Sequence, residues 1–101
     1  MTDLAQLAKN IEQDIINWRR ELHKIPEIGL TLPQTAAYIS SQLKKIGLEV
    51  KQTANSGLTA TIKPDKAYDN AFAIRADMDG LPIREQTSLP FASQHEGKMH
   101  A

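Results

Sequence analysis

The segment from Ala71 to Pro82, AFAIRADMDGLP, constrains this sequence most strongly. Its apolar half, 71–76, is followed by Asp77, Asp79 and Gly80, which is the pattern of a buried strand that ends at the rim of a sheet. Because side chains alternate along a strand, the two carboxylates are predicted to point to the same side. A pair of this kind suits a metal ion or a proton.

Composition and charge exclude several classes of protein. The 101 residues carry 12 Lys and Arg against 12 Asp and Glu, so no net charge attracts nucleic acid or an anionic membrane. There is no cysteine, and hence no disulfide framework. No apolar run approaches the roughly 20 residues of a membrane span, and residues 1–14 lack the apolar core of a signal peptide. We therefore predict a soluble, cytoplasmic domain, or part of one, with no nucleic-acid or membrane partner.

The first part of the sequence predicts one long amphipathic helix from Asp3 to Lys24. Apolar residues recur at steps of three and four, which predicts that one face is buried. Asp3 and Gln6 fit a capping box, and Pro26 ends the helix because proline lacks a backbone N–H and restricts the residue before it. The apolar positions are Leu4, Leu7, Ile11, Ile15, Trp18 and Leu22.

A second amphipathic helix is predicted after a short turn. Thr31 is its predicted cap, Pro33 lies in its first turn and Gln34 is expected to reach back to the cap. Gly47 should end the helix in the left-handed conformation that glycine favours there. Its buried positions are Ala36, Ile39, Leu43 and Ile46.

The remaining pattern predicts strands and a long final loop. Residues 48–52 and 58–63 are expected to be strands joined by a turn at 55–57, and 71–76 should be the next strand. Residues 83–101 show no periodicity and are predicted to be an irregular, functional excursion. The fold class is therefore α/β, with two helices followed by three to four strands. This is an unfinished layer, so the chain is expected to be incomplete as a domain.

The aspartates allow two interpretations from the residues alone. Asp77 and Asp79 are either functional carboxylates or ordinary turn residues that accept hydrogen bonds from backbone N–H groups. Arg75, within the apolar run, needs a partner if it is buried, and Asp77 or Glu85 would serve. An ion pair is favoured there over a clamp for a substrate.

The three histidines differ in how strongly their positions indicate a function. His23, near the end of a helix, is best explained by a structural role. His95 and His100 lie in the final loop and are better functional candidates, because neutral imidazole binds metals and loops carry function. Neither has a second ligand at metal-binding spacing within the chain.

Three segments carry a resemblance to a known family. The sequence WRRELHKIPEIG at 18–29 resembles the RRxLHxxPExG opening of the metal-dependent amidohydrolases that include hippurate hydrolases, N-acyl amino acid amidohydrolases and auxin-conjugate hydrolases. RADMDGLPI at 75–83 resembles their RADMDALPI, and HEGKMHA at 95–101 resembles the start of their HxGxMHACGHD. The DGLP form is similar to that of the N-acetyldiaminopimelate deacetylase branch.

The resemblance implies a site and a reaction. It implies a zinc-peptidase-like α/β catalytic domain, of which residues 1–101 are the N-terminal portion. Asp79 would orient a metal ligand or the active site, Asp77 would lie beside it, and His100 would belong to the wall of the site. No metal ligand is expected within the chain, because the family's cysteine and histidine ligands would come just after Ala101.

The complete enzyme would hydrolyse N-acylated amino acids. It would use two divalent ions of zinc, manganese, cobalt or nickel, and it would form a homodimer. The chain alone is expected to be inactive. The alternative, from a different class, is a non-catalytic domain that binds a partner chain through exposed apolar helix faces.

Overall fold

The structure, a computed structural model, describes residues 3–101. It contains three helices, α1 (Leu4–Asn10), α2 (Glu12–Lys24) and α3 (Pro33–Ile46). Two antiparallel strands follow, β1 (Val50–Thr53) and β2 (Gly57–Ala60). The predicted α/β order of helices followed by strands is confirmed, although the numbers of helices and strands differ from the prediction. None of the helices among residues 3–101 has the length and apolar character of a membrane span.

The predicted first helix is divided at Ile11. The backbone of Ile11 is not helical (φ −104°, ψ 5°), and its N–H donates to the carbonyl of Ala8, three residues back, at 3.2 Å. Asn10 has a low helix propensity, which weakens the helix at this point. Asp3 caps α1 as predicted, accepting from the Gln6 N–H at 3.2 Å. The reciprocal half of the capping box is not formed, since the Gln6 amide donates to Asn10 at 2.9 Å.

The apolar stripe of α1 and α2 is buried only toward its end. Trp18 and Leu22 are half-buried, and the Trp18 indole N–H donates to the Gln42 side chain at 3.1 Å, which links α2 to α3. The first four positions are about half exposed or more, so the prediction of a buried face is wrong there: Leu4 75 %, Leu7 50 %, Ile11 47 % and Ile15 48 %. The reason is that no other element among residues 3–101 packs over this part of the stripe.

The start of α3 is capped differently from the prediction. Pro33 is the first helical residue, as expected. The prediction that Thr31 caps the helix is wrong, because the carboxylate of Glu27 takes that role. It accepts hydrogen bonds from the N–H groups of Gln34 at 3.2 Å and Thr35 at 2.7 Å. The cap therefore comes from the preceding turn.

The end of α3 and the hairpin largely follow the prediction, except that Ile46, predicted to be buried, is 58 % exposed. Gly47 ends α3 with φ 101°, in the predicted left-handed conformation. The ends of β1 and β2 lie within three residues of the predicted ones, and the turn between them includes Ala54 at φ 54°. Ser56, buried in this turn, accepts a hydrogen bond from the Leu32 N–H at 2.7 Å. The hairpin is thereby tied to the start of α3.

Residues 71–76 do not form the predicted strand. The segment has no regular pairing, and the side chains of Phe72 and Ile74 are 92 % and 89 % exposed. A strand needs a neighbour for its N–H and C=O groups, and no element among residues 3–101 provides one. After it, Leu81 and Met99 form an isolated antiparallel bridge. Residues 3–101 thus contain two strands, where three to four were predicted.

The interior lies around the turn between α2 and α3. Pro26 and Thr35 are the largest fully buried side chains, and Thr35 is only 1 % exposed. His23, Leu32 and Gly80 are also buried. The interior of residues 3–101 is therefore small and largely polar, so its stability depends on hydrogen bonds as well as on apolar contact.

Gly47→Ala should destabilise the protein by about 1 to 2 kcal/mol, because a Cβ is unfavourable in the left-handed conformation. No atom would contact that Cβ, so conformational strain is the whole effect. Urea unfolding followed by circular dichroism measures it. Gly47→Asn is the matched control and should lose less, because asparagine tolerates this conformation. Equal stability of Gly47→Ala and the original protein would contradict this prediction.

Candidate functional site

The two candidate aspartates lie where the extended segment turns into the interior. Asp77 is 74 % exposed at its side chain and pairs with Arg75 at 3.2 Å, which confirms the predicted ion pair. Asp79 is exposed, whereas Gly80, the next residue, is buried. An exposed ion pair such as that of Arg75 and Asp77 contributes about 0 to 1 kcal/mol to stability. Neither carboxylate is therefore committed to holding the fold.

A cavity of about 320 Å³ lies between α2, α3 and the segments that carry the candidate residues. Asp77 and His100 both line it, although they are far apart in sequence. Asp79 does not line it, but the charge of its carboxylate acts on His100 and opposes the lowering of the pKa of that histidine. The lining residues are Arg19, Leu22, His23, Thr35, Ile39, Asp77, Met78, His100 and Ala101.

His100 presents an unpaired nitrogen in this region. Its Nε2 atom is buried and has no hydrogen-bond partner among residues 3–101. Burial lowers the pKa of His100, the charge of His23 lowers it further, and Asp79 offsets only part of this effect. His100 is therefore neutral at pH 7, and a buried polar atom of this kind suits a ligand that hydrogen-bonds or coordinates it.

His23 has the structural role expected of it. It is buried, and its Nε2–H donates to Glu85 at 2.9 Å. The His23 ring meets the Phe91 ring edge to face, with the ring centres 6.0 Å apart, and the Arg20 guanidinium lies 4.6 Å from the centre of the Phe91 ring. These contacts attach α2 to the final segment.

Glu85 organises the final segment by accepting several hydrogen bonds. Besides His23, it accepts from the Thr87 hydroxyl and from the Ser93 N–H at 2.8 Å. The hydrogen bonds from Thr87, Ser93 and His23 hold the pKa of Glu85 below its usual value of 4.5. The segment is irregular, as predicted, but it is fixed by these hydrogen bonds.

His95 serves the fold through one ring nitrogen. Its Nδ1 lies 2.8 Å from the main-chain carbonyl of Pro26, and because a carbonyl only accepts, Nδ1 carries the proton. Within residues 3–101 there is no group of three or more His, Cys, Asp or Glu side chains that could hold a metal ion. The Nδ1 atom of His95 thus joins the final segment to the α2–α3 turn.

Sequence reasoning missed the roles of the two glutamates that organise this region, Glu27 and Glu85, since it considered Glu85 only as a partner for Arg75. Glu85 lies 62 residues from His23, and no local pattern relates them. For Glu27 a signal existed, because Leu32 directly before α3 cannot cap a helix through its side chain. A helix start without its own cap indicates that the cap comes from elsewhere.

Two curated relatives match most of this chain in sequence. The N-acetyldiaminopimelate deacetylase of Halalkalibacterium halodurans is 45 % identical over 94 residues, which cover 90 % of this chain and 25 % of that protein. The N-acetyl-L-cysteine deacetylase of Bacillus subtilis is 42 % identical over 92 residues, which cover 90 % of this chain and 22 % of that protein. The chain thus spans about a quarter of the length of the curated relatives it matches.

The fold matches a solved structure equally well. A Bacillus subtilis protein described as a dinuclear metal-binding peptidase from the M20 family superposes with a TM-score of 0.83 at 39 % identity. The match covers 91 % of this chain and 26 % of that one. This chain matches the N-terminal portion of M20 family proteins. No protein-family model matches it. The resemblance drawn from the three sequence motifs is confirmed at this level.

Stability should fall as the pH drops below about 4.5, the usual value for the two glutamates whose pKa is lowered by folding, Glu27 and Glu85. The unfolded chain takes up protons at these groups more readily than the folded one, so their stabilising effect is present above that pH and lost below it. Thermal unfolding midpoints between pH 6 and pH 3 measure this loss.

Glu85→Gln should flatten the acid branch of that curve, because the substituted side chain no longer titrates. Glu49→Gln, at an exposed position, is the matched control and should follow the original curve. An unchanged acid branch in Glu85→Gln would contradict this prediction.

Proposed function

We propose that the full-length protein containing this chain is a hydrolase that cleaves the amide bond of N-acylated amino acids with the help of two divalent metal ions. The observation that carries this proposal is the match to a dinuclear metal-binding M20 peptidase at a TM-score of 0.83 and 39 % identity. The names of the curated relatives, both deacetylases of N-acetylated amino acids, support the same class of substrate.

The reaction adds one water across the amide C–N bond. The water oxygen bonds to the carbonyl carbon, the C–N bond breaks, and the nitrogen takes up both protons of the water, so the products are a carboxylate and an amino acid with a free ammonium group. When bound, two divalent ions lower the pKa of a water molecule and polarise the carbonyl group. Zinc, manganese, cobalt and nickel all suit ligand sets of this kind.

Residues 3–101 fit the border of such a site and not its complete ligand set. The buried, unpaired Nε2 of His100 and the carboxylates of Asp77 and Asp79 are suitable groups. They do not amount to three convergent ligands. We therefore propose that the metal ligands come from parts of the full-length protein outside residues 1–101, and that this chain alone is inactive.

Within this proposal each candidate residue has a distinct task. The exposed carboxylate of Asp79 accepts a hydrogen bond from a metal-binding side chain and fixes its orientation, as carboxylates beside metal ligands do. Asp77 lies next to it on the cavity. Neutral His100 forms part of the cavity wall and offers Nε2 to the substrate or to a neighbouring group. Homodimer formation and a cytoplasmic location stay predictions from the sequence.

Asp79→Asn in the full-length protein should lower kcat by about 10- to 100-fold, because it removes the charge that orients a metal ligand. The assay is release of free amino acid from N-acetyldiaminopimelate and N-acetyl-L-cysteine, with zinc, manganese, cobalt or nickel added in turn. Asp69→Asn, in the exposed loop before residue 71, is the matched control and should retain full turnover.

Two results would overturn these assignments. Near-normal turnover in Asp79→Asn would remove Asp79 from the site. Absence of metal-dependent hydrolysis in the unmodified full-length protein would overturn the proposed reaction and favour a partner-binding domain.

A further inference from the structure

The turn at Pro26 and Glu27 contacts both segments that carry the candidate site residues. The main-chain carbonyl of Glu27 accepts a hydrogen bond from the Gly80 N–H at 2.7 Å, directly after Asp79. The carbonyl of Pro26 accepts from Nδ1 of His95 at 2.8 Å, at the start of the segment that ends with His100 and Ala101. Two successive carbonyl groups thus hold the two segments side by side.

The main chain is closely packed at Gly80, with little room for a side chain. A Cβ atom at this position would lie 3.1 Å from the Met99 carbonyl oxygen and 3.1 Å from the Pro26 Cβ. The next residue, Leu81, forms two hydrogen bonds with Met99, at 2.8 and 3.1 Å. The main chain just after Asp79 is therefore held between the α2–α3 turn and the final segment.

The side chain of Glu27 fixes the turn itself. Its Oε1 accepts from the Thr35 N–H at 2.7 Å and from the Thr35 hydroxyl at 2.8 Å, and its Oε2 accepts from the Gln34 N–H at 3.2 Å. Burial raises the pKa of Glu27, but these hydrogen bonds outweigh it and the pKa lies below its usual value. The side chain is thus a charged cap at the positive end of α3.

Glu27 does not border the cavity that Asp77 and His100 line. Both of its carboxylate oxygens are occupied by groups of α3. Any effect of this residue on a reaction in the cavity therefore passes through groups that it positions, which are the main chain at Gly80 and the side chain of Thr35, a residue that lines the cavity.

We propose that Glu27 is a positioning residue for Asp79, with its carboxylate fixing the turn to α3 and its carbonyl fixing the chain at Gly80. The inference rests on the proposed function, in which Asp79 orients a metal ligand. A displacement of about 1 Å at a catalytic group costs on the order of 100-fold in rate, so loss of this support is measurable.

The test is a double-mutant cycle in the full-length protein. The variants are Glu27→Ala, Asp79→Asn and their combination, with Glu49→Ala as the exposed matched control. One readout is kcat and KM for the N-acetylated substrates. The other is zinc affinity, measured by competition with a chromophoric chelator, because a residue acting through a metal-orienting carboxylate changes both.

Glu27→Ala should lower kcat by about tenfold with little change in KM, and it should weaken zinc binding. In the Asp79→Asn background the same change should cost no more than about twofold, because the group that it positions is already lost. Glu49→Ala should leave both readouts unchanged in either background.

Glu27→Gln keeps the cycle usable if Glu27→Ala does not fold. The amide retains an oxygen for Thr35 but presents an NH₂ group to the Gln34 N–H. The decrease in kcat and zinc affinity should therefore be smaller than in Glu27→Ala and in the same direction. If the fold-losses in kcat and zinc affinity caused by a Glu27 substitution and by Asp79→Asn simply multiply in the double variant, the two residues act independently. That result would overturn the inference and leave Glu27 with a purely structural role. If the unmodified protein shows no turnover, the proposed function fails, and the zinc-affinity cycle alone decides the role of Glu27.

Discussion

The carboxylate of Glu27 at the start of α3 is the interaction on which the rest of the structure depends. The first N–H groups of a helix have no partner within the helix, and burying them unpaired is costly. Here the partner comes from a turn that also holds the chain after Asp79 and the final segment through successive carbonyl groups. The Glu27 side chain thus fixes this turn to α3, and the main-chain carbonyl groups of Pro26 and Glu27 connect the turn to both segments of the candidate site.

The interior built around this turn is unusual in being mostly polar. Thr35, His23 and Ser56 are buried and hydrogen-bonded, His23 and Ser56 to residues 62 and 24 positions away and Thr35 to Glu27, eight positions away. Polar interiors specify geometry through direction-dependent contacts, whereas apolar ones tolerate sliding. The arrangement fits a region whose task is to set the positions of functional groups, with apolar packing as a smaller contribution.

The sequence predicted those features whose causes are local. The apolar period of α2 and α3, Pro33 at a helix start and Gly47 at a helix end each depend on a few neighbouring residues. The His23–Glu85 contact joins residues that are brought together only by folding, so no local pattern contains it, whereas the Glu27 cap was indicated only indirectly, by Leu32 at the start of α3. The segment 71–76 shows the converse, because a strand-like pattern forms a strand only beside a partner strand. The three family-like motifs indicated which segments matter, but not that Asp77 and His100 share a cavity.

The exposed segment at 71–76 also governs how residues 3–101 behave as an isolated polypeptide. Phe72 and Ile74 are exposed, and the backbone of this segment has unpaired hydrogen-bonding groups. Segments of this kind pair with strands of other molecules. The ion pair between Arg75 and Asp77 places charge on the same stretch, and charges beside an apolar segment oppose such stacking. The two charges of this pair cancel, and the chain as a whole has no net charge at pH 7, so no repulsion between molecules adds to this protection. The isolated chain is therefore expected to self-associate through residues 71–76.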